Sequence, residues 1–150
     1  MKKTILIILC GVMVLGLTGC GKSKNELDIG SKSNIRISQN DVTMTIKEGT
    51  LTNKSATLVL TNNSDKNFEY GTPYEIEVKK DGEWHKINVE LDFTMPAFQL
   101  SAKESKEIEL AWEYGYGKLA EGTYRIIKVI NYEYNGGKYE PFNVAVEFTI

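Results

Sequence analysis

The sequence predicts an all-β domain of about seven to nine antiparallel strands behind a short targeting segment. From Val42 onward, apolar residues recur at every second position, the period of a half-buried strand. Clusters such as Asn62-Asn63-Ser64-Asp65-Lys66, Asp81-Gly82 and Asn135-Gly136-Gly137 supply turns between these runs. No segment carries a 3.6-residue apolar period and no internal repeat is present. Short strands with turn signals roughly ten residues apart make a sandwich or a small barrel.

The chain opens differently. Lys2-Lys3 precedes an apolar run from Ile5 to Leu17, and polar, lysine-rich sequence follows at once. That is the layout of a secretory signal peptide. The run is interrupted by Gly11 and Gly16 and is shorter than the roughly 20 apolar residues a spanning helix needs, so a permanent transmembrane helix is the weaker reading. An ordinary signal peptide or an uncleaved anchor is the alternative. Leu17-Thr18-Gly19-Cys20 resembles the lipobox of bacterial lipoproteins. The resemblance implies cleavage between Gly19 and Cys20, a diacylglyceryl lipid on Cys20, and residence on the extracytoplasmic face of the cell membrane. Two acyl chains are what stable anchoring takes.

Composition bounds the remainder. The full chain of 150 residues carries 18 Lys and Arg against 20 Asp and Glu, a formal net charge of −2, and loss of Lys2 and Lys3 makes the exported part more acidic. Nucleic acid is not a favoured partner for such a surface. The chain has two cysteines; Cys10 leaves with the signal and lipid consumes Cys20, so no disulfide is expected. The expected organisation is a signal peptide over 1–19, a lipidated cysteine and flexible tether over 20–34, and one domain over 35–150. The tether expectation rests on its Gly, Ser and Lys content, which cannot bury enough apolar surface to offset the entropy of ordering it.

Within the domain, Val42, Met44 and Ile46 alternate with polar residues, as do Ala56, Leu58 and Leu60. Phe68 and Tyr70 continue the alternation. After Pro73 it resumes at Tyr74, Ile76 and Val78, with Glu75, Glu77 and Lys79 expected to face out. Asp81-Gly82 marks a type I′ hairpin returning through Trp84-His85-Lys86-Ile87. Glu90 to Leu100, which contains Met95-Pro96, reads as a long loop or edge segment because proline cannot serve a central strand. Ile108, Leu110 and Trp112 share a face, and Tyr114-Gly115-Tyr116-Gly117 forms a corner. A strand from Thr123 to Tyr134 and a last one carrying Phe142, Val144, Val146, Phe148 and Ile150 complete the set.

Leu119-Ala120-Glu121-Gly122-Thr123-Tyr124 resembles the tyrosine corner of immunoglobulin-like sandwiches, which implies a structural Tyr124 bonded to upstream backbone. With the Asn62–Lys66 turn, Gly71-Thr72-Pro73-Tyr74-Glu75-Ile76-Glu77 and Asp81-Gly82-Glu83-Trp84, the stretch from about 40 to 150 resembles the bacterial Ig-like domains found on lipoproteins of Gram-positive bacteria. The likeness implies an immunoglobulin-like β-sandwich and an extracytoplasmic address. It implies no catalytic activity or cofactor. Where members often carry a Pro-Gly turn, this chain reads Ser101-Ala102-Lys103-Glu104-Ser105.

His85 is the single histidine, which excludes a histidine-based zinc cluster and means that a Ser-His-Asp triad would have to be built around this one hairpin side chain. Its simplest reading is a solvent-facing strand residue. Glu75, Glu77, Glu83, Glu90 and Asp92 could be drawn as a calcium site, but no Asp-rich loop with its glycine is present, so no metal is expected. Tyr114, Tyr116 and Tyr134, near strand ends or turns, are candidate partner contacts, since tyrosine anchors interfaces at small entropic cost; packing of the corner is the competing reading. The expected function is a membrane-tethered, non-catalytic module for a protein or cell-envelope partner. The alternative is a proteinase-inhibitor-like domain acting through the Glu90–Leu100 loop.

Overall fold

The computed structural model describes residues 27–38, 41–94, 96–132 and 141–150. The expected signal peptide, Cys20, Tyr134 and the turn expected at Asn135-Gly136-Gly137 lie outside the described residues. Within them the chain forms β1 (Ile29–Lys32), β2 (Val42–Ile46), β3 (Ser55–Asn62), β4 (Phe68–Tyr70), β5 (Glu75–Lys80), β6 (Glu83–Ile87), β7 (Phe98–Leu100), β8 (Ser105–Ala111), the helical turn α1 (Glu113–Tyr116), β9 (Thr123–Tyr132) and β10 (Phe142–Thr149). All strand pairings are antiparallel, in one sheet of seven strands and one of three, an immunoglobulin-like sandwich.

The long strand β9 is the spine of the larger sheet. Its first half pairs with β5 (Val78↔Tyr124, Glu75↔Ile127) and its second half with β4 (Tyr70↔Ile130, Phe68↔Tyr132). Its other edge pairs with β10 throughout. Beyond β5 lie β6 and β1, and beyond β4 lies β7; the small sheet runs β2-β3-β8. Inward side chains follow the period of two: Val42 and Met44, Ala56, Leu58 and Leu60, Ile76 and Val78, Tyr124, Ile126 and Ile130, Val144 and Phe148 are all buried in one core. Each Val, Leu, Ile, Met or Phe side chain among them stabilises the fold by about 1.5–3 kcal/mol relative to exposure. The β5–β6 hairpin turns at Asp81 and Gly82, whose φ values of 52° and 83° lie in the left-handed region a type I′ turn requires.

Two expectations need correction. The stretch to Asn34 is not wholly a tether, because Ile29–Lys32 adds a strand to β6, where backbone hydrogen bonds do what its composition cannot. Beyond it, the Ser33 amide donates to the Trp84 carbonyl, while Ile37 forms a parallel bridge to Asn143 of β10 and the Ser38 amide donates to the Asn143 carbonyl. Since β5 and β9 lie between β6 and β10, residues 33–38 cross the outer face of the large sheet as a strap. The second correction is Glu77. It is fully buried on that outer face and ion-paired to Arg125 of β9, with Nη2–Oε2 at 2.6 Å and Nε–Oε2 at 2.7 Å.

Candidate functional site

The corner after β8 is built on buried aromatics. Trp112 is fully buried and its indole Nε1 donates to the Asn53 carbonyl at 3.0 Å. Tyr116 is also buried, and its hydroxyl accepts the Ile76 amide hydrogen at 3.0 Å. Burial pushes its phenol up to about 12. Across the turn, Gly115 lies so close to Leu91 that a Cβ there would meet the Leu91 side chain at 2.2 Å, and any larger residue would have to displace it. Tyr124 is buried with its hydroxyl donating to the Ala120 carbonyl at 3.0 Å, and its ring stacks on Phe148. These contacts hold α1 from both sides. Tyr114, on the outer side of the turn, is 99% exposed.

The candidate partner tyrosines therefore separate. Tyr114 is free to touch a partner; Tyr116 is not, because residues two apart in a helical turn stand about 200° apart around its axis and the Tyr116 side is the core. Tyr134 lies outside the described residues, as do Gly19 and Cys20. His85 is half-buried rather than solvent-facing, its Nδ1 3.3 Å from the Gly30 carbonyl, because β1 covers it. The acidic residues are not brought together: Glu77 pairs with Arg125, while Glu83 is exposed and its carboxyl is held below its ordinary range by the hydrogen bond from Lys32. Among the described residues no group of three or more His, Cys, Asp or Glu side chains is placed to hold a metal ion.

Glu90–Leu100 runs along the side of the sandwich, ending in the edge strand β7. Val89, Leu91 and Phe93 pack against the core while Asn88, Glu90, Asp92 and Thr94 are exposed. Phe93 meets Tyr74 edge to face at 5.4 Å, and the Thr72 hydroxyl donates to the Thr94 carbonyl. Residues 90–94 are seated on the body and do not stand clear as an inhibitory loop would, whereas Pro96, Ala97, Phe98 and Gln99 are exposed. Beside it a cleft of about 380 Å³ opens between the sheets, lined by Tyr70, Tyr74, Phe93, Phe98 and Ile108. Tyr70 and Phe98 stack at 5.5 Å, and Phe98 is 42% exposed. The two strands meeting there, β7 and β8, are each the last of their sheet.

Two buried cations were not foreseen from the sequence. Arg125 looks like an outward strand position, yet its guanidinium is held between Glu77 and the Trp84 ring, 4.7 Å from the ring centroid. Lys128 shares the inward face with Ile126 and Ile130 and is 1% exposed. It stands where β9 changes partner from β5 to β4. The link between those strands leaves carbonyls without a ladder, and the Lys128 ammonium donates to Gly71 at 2.8 Å and Pro73 at 3.1 Å, with Thr72 at 3.4 Å. Burial pushes that ammonium down to about 8. The sequence signal was present: a lysine and an arginine inside an otherwise aliphatic strand.

Comparison with known proteins matches residues 38–149 to the family described as bacterial Ig-like domain. No curated protein matches the chain.

Proposed function

We propose that this chain, which belongs to the bacterial Ig-like domain family, is a lipid-anchored, non-catalytic module that holds a protein or cell-envelope partner at the outer face of the cell membrane. The anchor is Cys20, on the strength of the basic pair, the short apolar run and Leu17-Thr18-Gly19-Cys20. The observation that carries the binding role is the aromatic cleft between β7 and β8. The partly exposed Phe98 ring, stacked on buried Tyr70 beside two terminal strands, offers an extended segment both an apolar contact and unladdered backbone.

The test has two arms. Cys20→Ser should remove the protein from the detergent phase of fractionated membranes; unchanged partitioning rules out the lipid anchor. Phe98→Ala removes a ring that is 42% exposed and stacked on Tyr70, so stability should fall by only about 0.5–1.5 kcal/mol with the fold retained, whereas cross-linking on intact cells should lose its main partner. An unchanged cross-linking pattern places the binding surface elsewhere.

A further inference from the structure

We infer that the side of the domain carrying Leu27, Ile29 and Tyr114 rests on the lipid surface, giving the anchored domain a fixed orientation; this rests on the Cys20 anchor proposed above. Only residues 21–26 separate Cys20 from Leu27. Seven peptide steps, whatever their conformation, span at most about 25 Å. A domain of this length has a radius of gyration of about 13 Å and hence a diameter of about 35 Å. The surface opposite Leu27 is out of reach of the bilayer, and the surface around Leu27 is held near it.

What the chain presents there suits an interface. Leu27 and Asp28 line a cleft of about 320 Å³ together with Tyr114 and Lys118 of the α1 corner. Among the described residues the exposed large apolar side chains are Ile29, Phe98, Tyr114 and Val129. Two of these four, Ile29 and Tyr114, flank the point where the chain enters the fold. Tyrosine favours the headgroup level, where its ring meets acyl chains and its hydroxyl meets water. Lys118 is exposed beside it and can reach lipid phosphate. Glu113 is neutralised by Lys54 at 2.7 Å, and Asp28 is matched in number by Lys118, so the rim has no excess of negative charge to be repelled by anionic lipid. The rigid corner explains why Tyr114 is held outward instead of folding back: Trp112 and Tyr116 fix the turn on either side of it.

The exported chain has no cysteine besides Cys20, so a nitroxide label can be placed at one site. Full-length lipidated protein carrying Asn88→Cys, an exposed position of the same cleft beside Asp28, or Asp65→Cys as the distal control, is reconstituted in phosphatidylglycerol vesicles containing a nickel-chelating lipid. Asp65 follows the end of β3 remote from α1, an eight-residue strand away, about 25 Å. Flotation with the vesicles reports the anchor independently of orientation. The expected result is flotation of both proteins, with relaxation by headgroup nickel several-fold stronger at position 88 than at 65. Equal relaxation at the two sites, or stronger relaxation at 65, in protein that floats overturns the orientation while leaving the anchor intact. Failure to float overturns the anchor and the inference with it.

Discussion

Replacing Arg125 with leucine tests whether the strap over the outer face seals that face from water. The Arg125 side chain is 9% exposed and that of Glu77 is 0%; both short contacts go to Glu77 Oε2, and Oε1 has no hydrogen-bond partner among the described residues. Arg125→Leu therefore strands a buried carboxylate without its counter-charge, which costs about 3–5 kcal/mol. The double replacement Glu77→Leu with Arg125→Leu removes both charges and should recover most of that loss. A residual deficit of about 0.5–1 kcal/mol is expected because Trp84 loses the guanidinium stacked on it. Urea denaturation at pH 7 measures both, with an unchanged slope confirming that the change lies in stability and not in the surface exposed on unfolding. A single-mutant loss below about 1 kcal/mol would resemble a surface ion pair. It would refute the claim that residues 33–38 bury this pair.

Three further outcomes are expected. Tyr124→Phe removes only the bond to the Ala120 carbonyl and should cost about 0.5–1.5 kcal/mol in chemical denaturation. A protein beginning at residue 38, where the family match starts, lacks β1 and most of the strap; its urea midpoint should fall clearly below that of a protein beginning at residue 27, and equal midpoints would show that the strap contributes nothing. Stability should also depend on pH in the alkaline range with two opposing signs. Lys128, lowered to about 8 from 10.5, binds fewer protons folded than unfolded between those values, so stability rises with pH across that window. Tyr116, raised to about 12 from 10.0, binds more protons folded than unfolded, so stability falls above pH 10. Urea midpoints from pH 7 to 11 should thus pass through a maximum, and Lys128→Met should abolish the rising limb.

The alternation in β2, β3, β5, β8 and β10 was legible because one face of each strand meets the core and the other meets water. The reading failed where a second layer covers the outer face. Glu77 has the spacing of a solvated residue, and nothing local shows that a segment forty residues earlier lies over it. Ile29–Lys32 escaped for a related reason: its stability comes from backbone pairing with β6, which leaves little mark on side-chain composition. At the α1 corner, residue types announced an aromatic cluster, but two tyrosines separated by one glycine gave no sign of which would be buried. A single helical turn decides that, and it is too short to write a period into the sequence.

The order of contacts along the N-terminal side has a mechanical consequence. Tension entering the domain at Leu27 meets β1 first, a four-residue edge strand joined to β6 through an irregular register. Next in line is the strap with its few bonds to β10, and only then β2, the edge strand of the small sheet, paired along its five residues with β3. A load drawn along this path peels the outermost ladder before it reaches the core, so β1 and the strap act as an extensible leash of about a dozen residues, roughly 40 Å when drawn out. Under such a load the Glu77–Arg125 pair would be uncovered while the two sheets stayed packed, and the domain would yield in length before it yielded in fold.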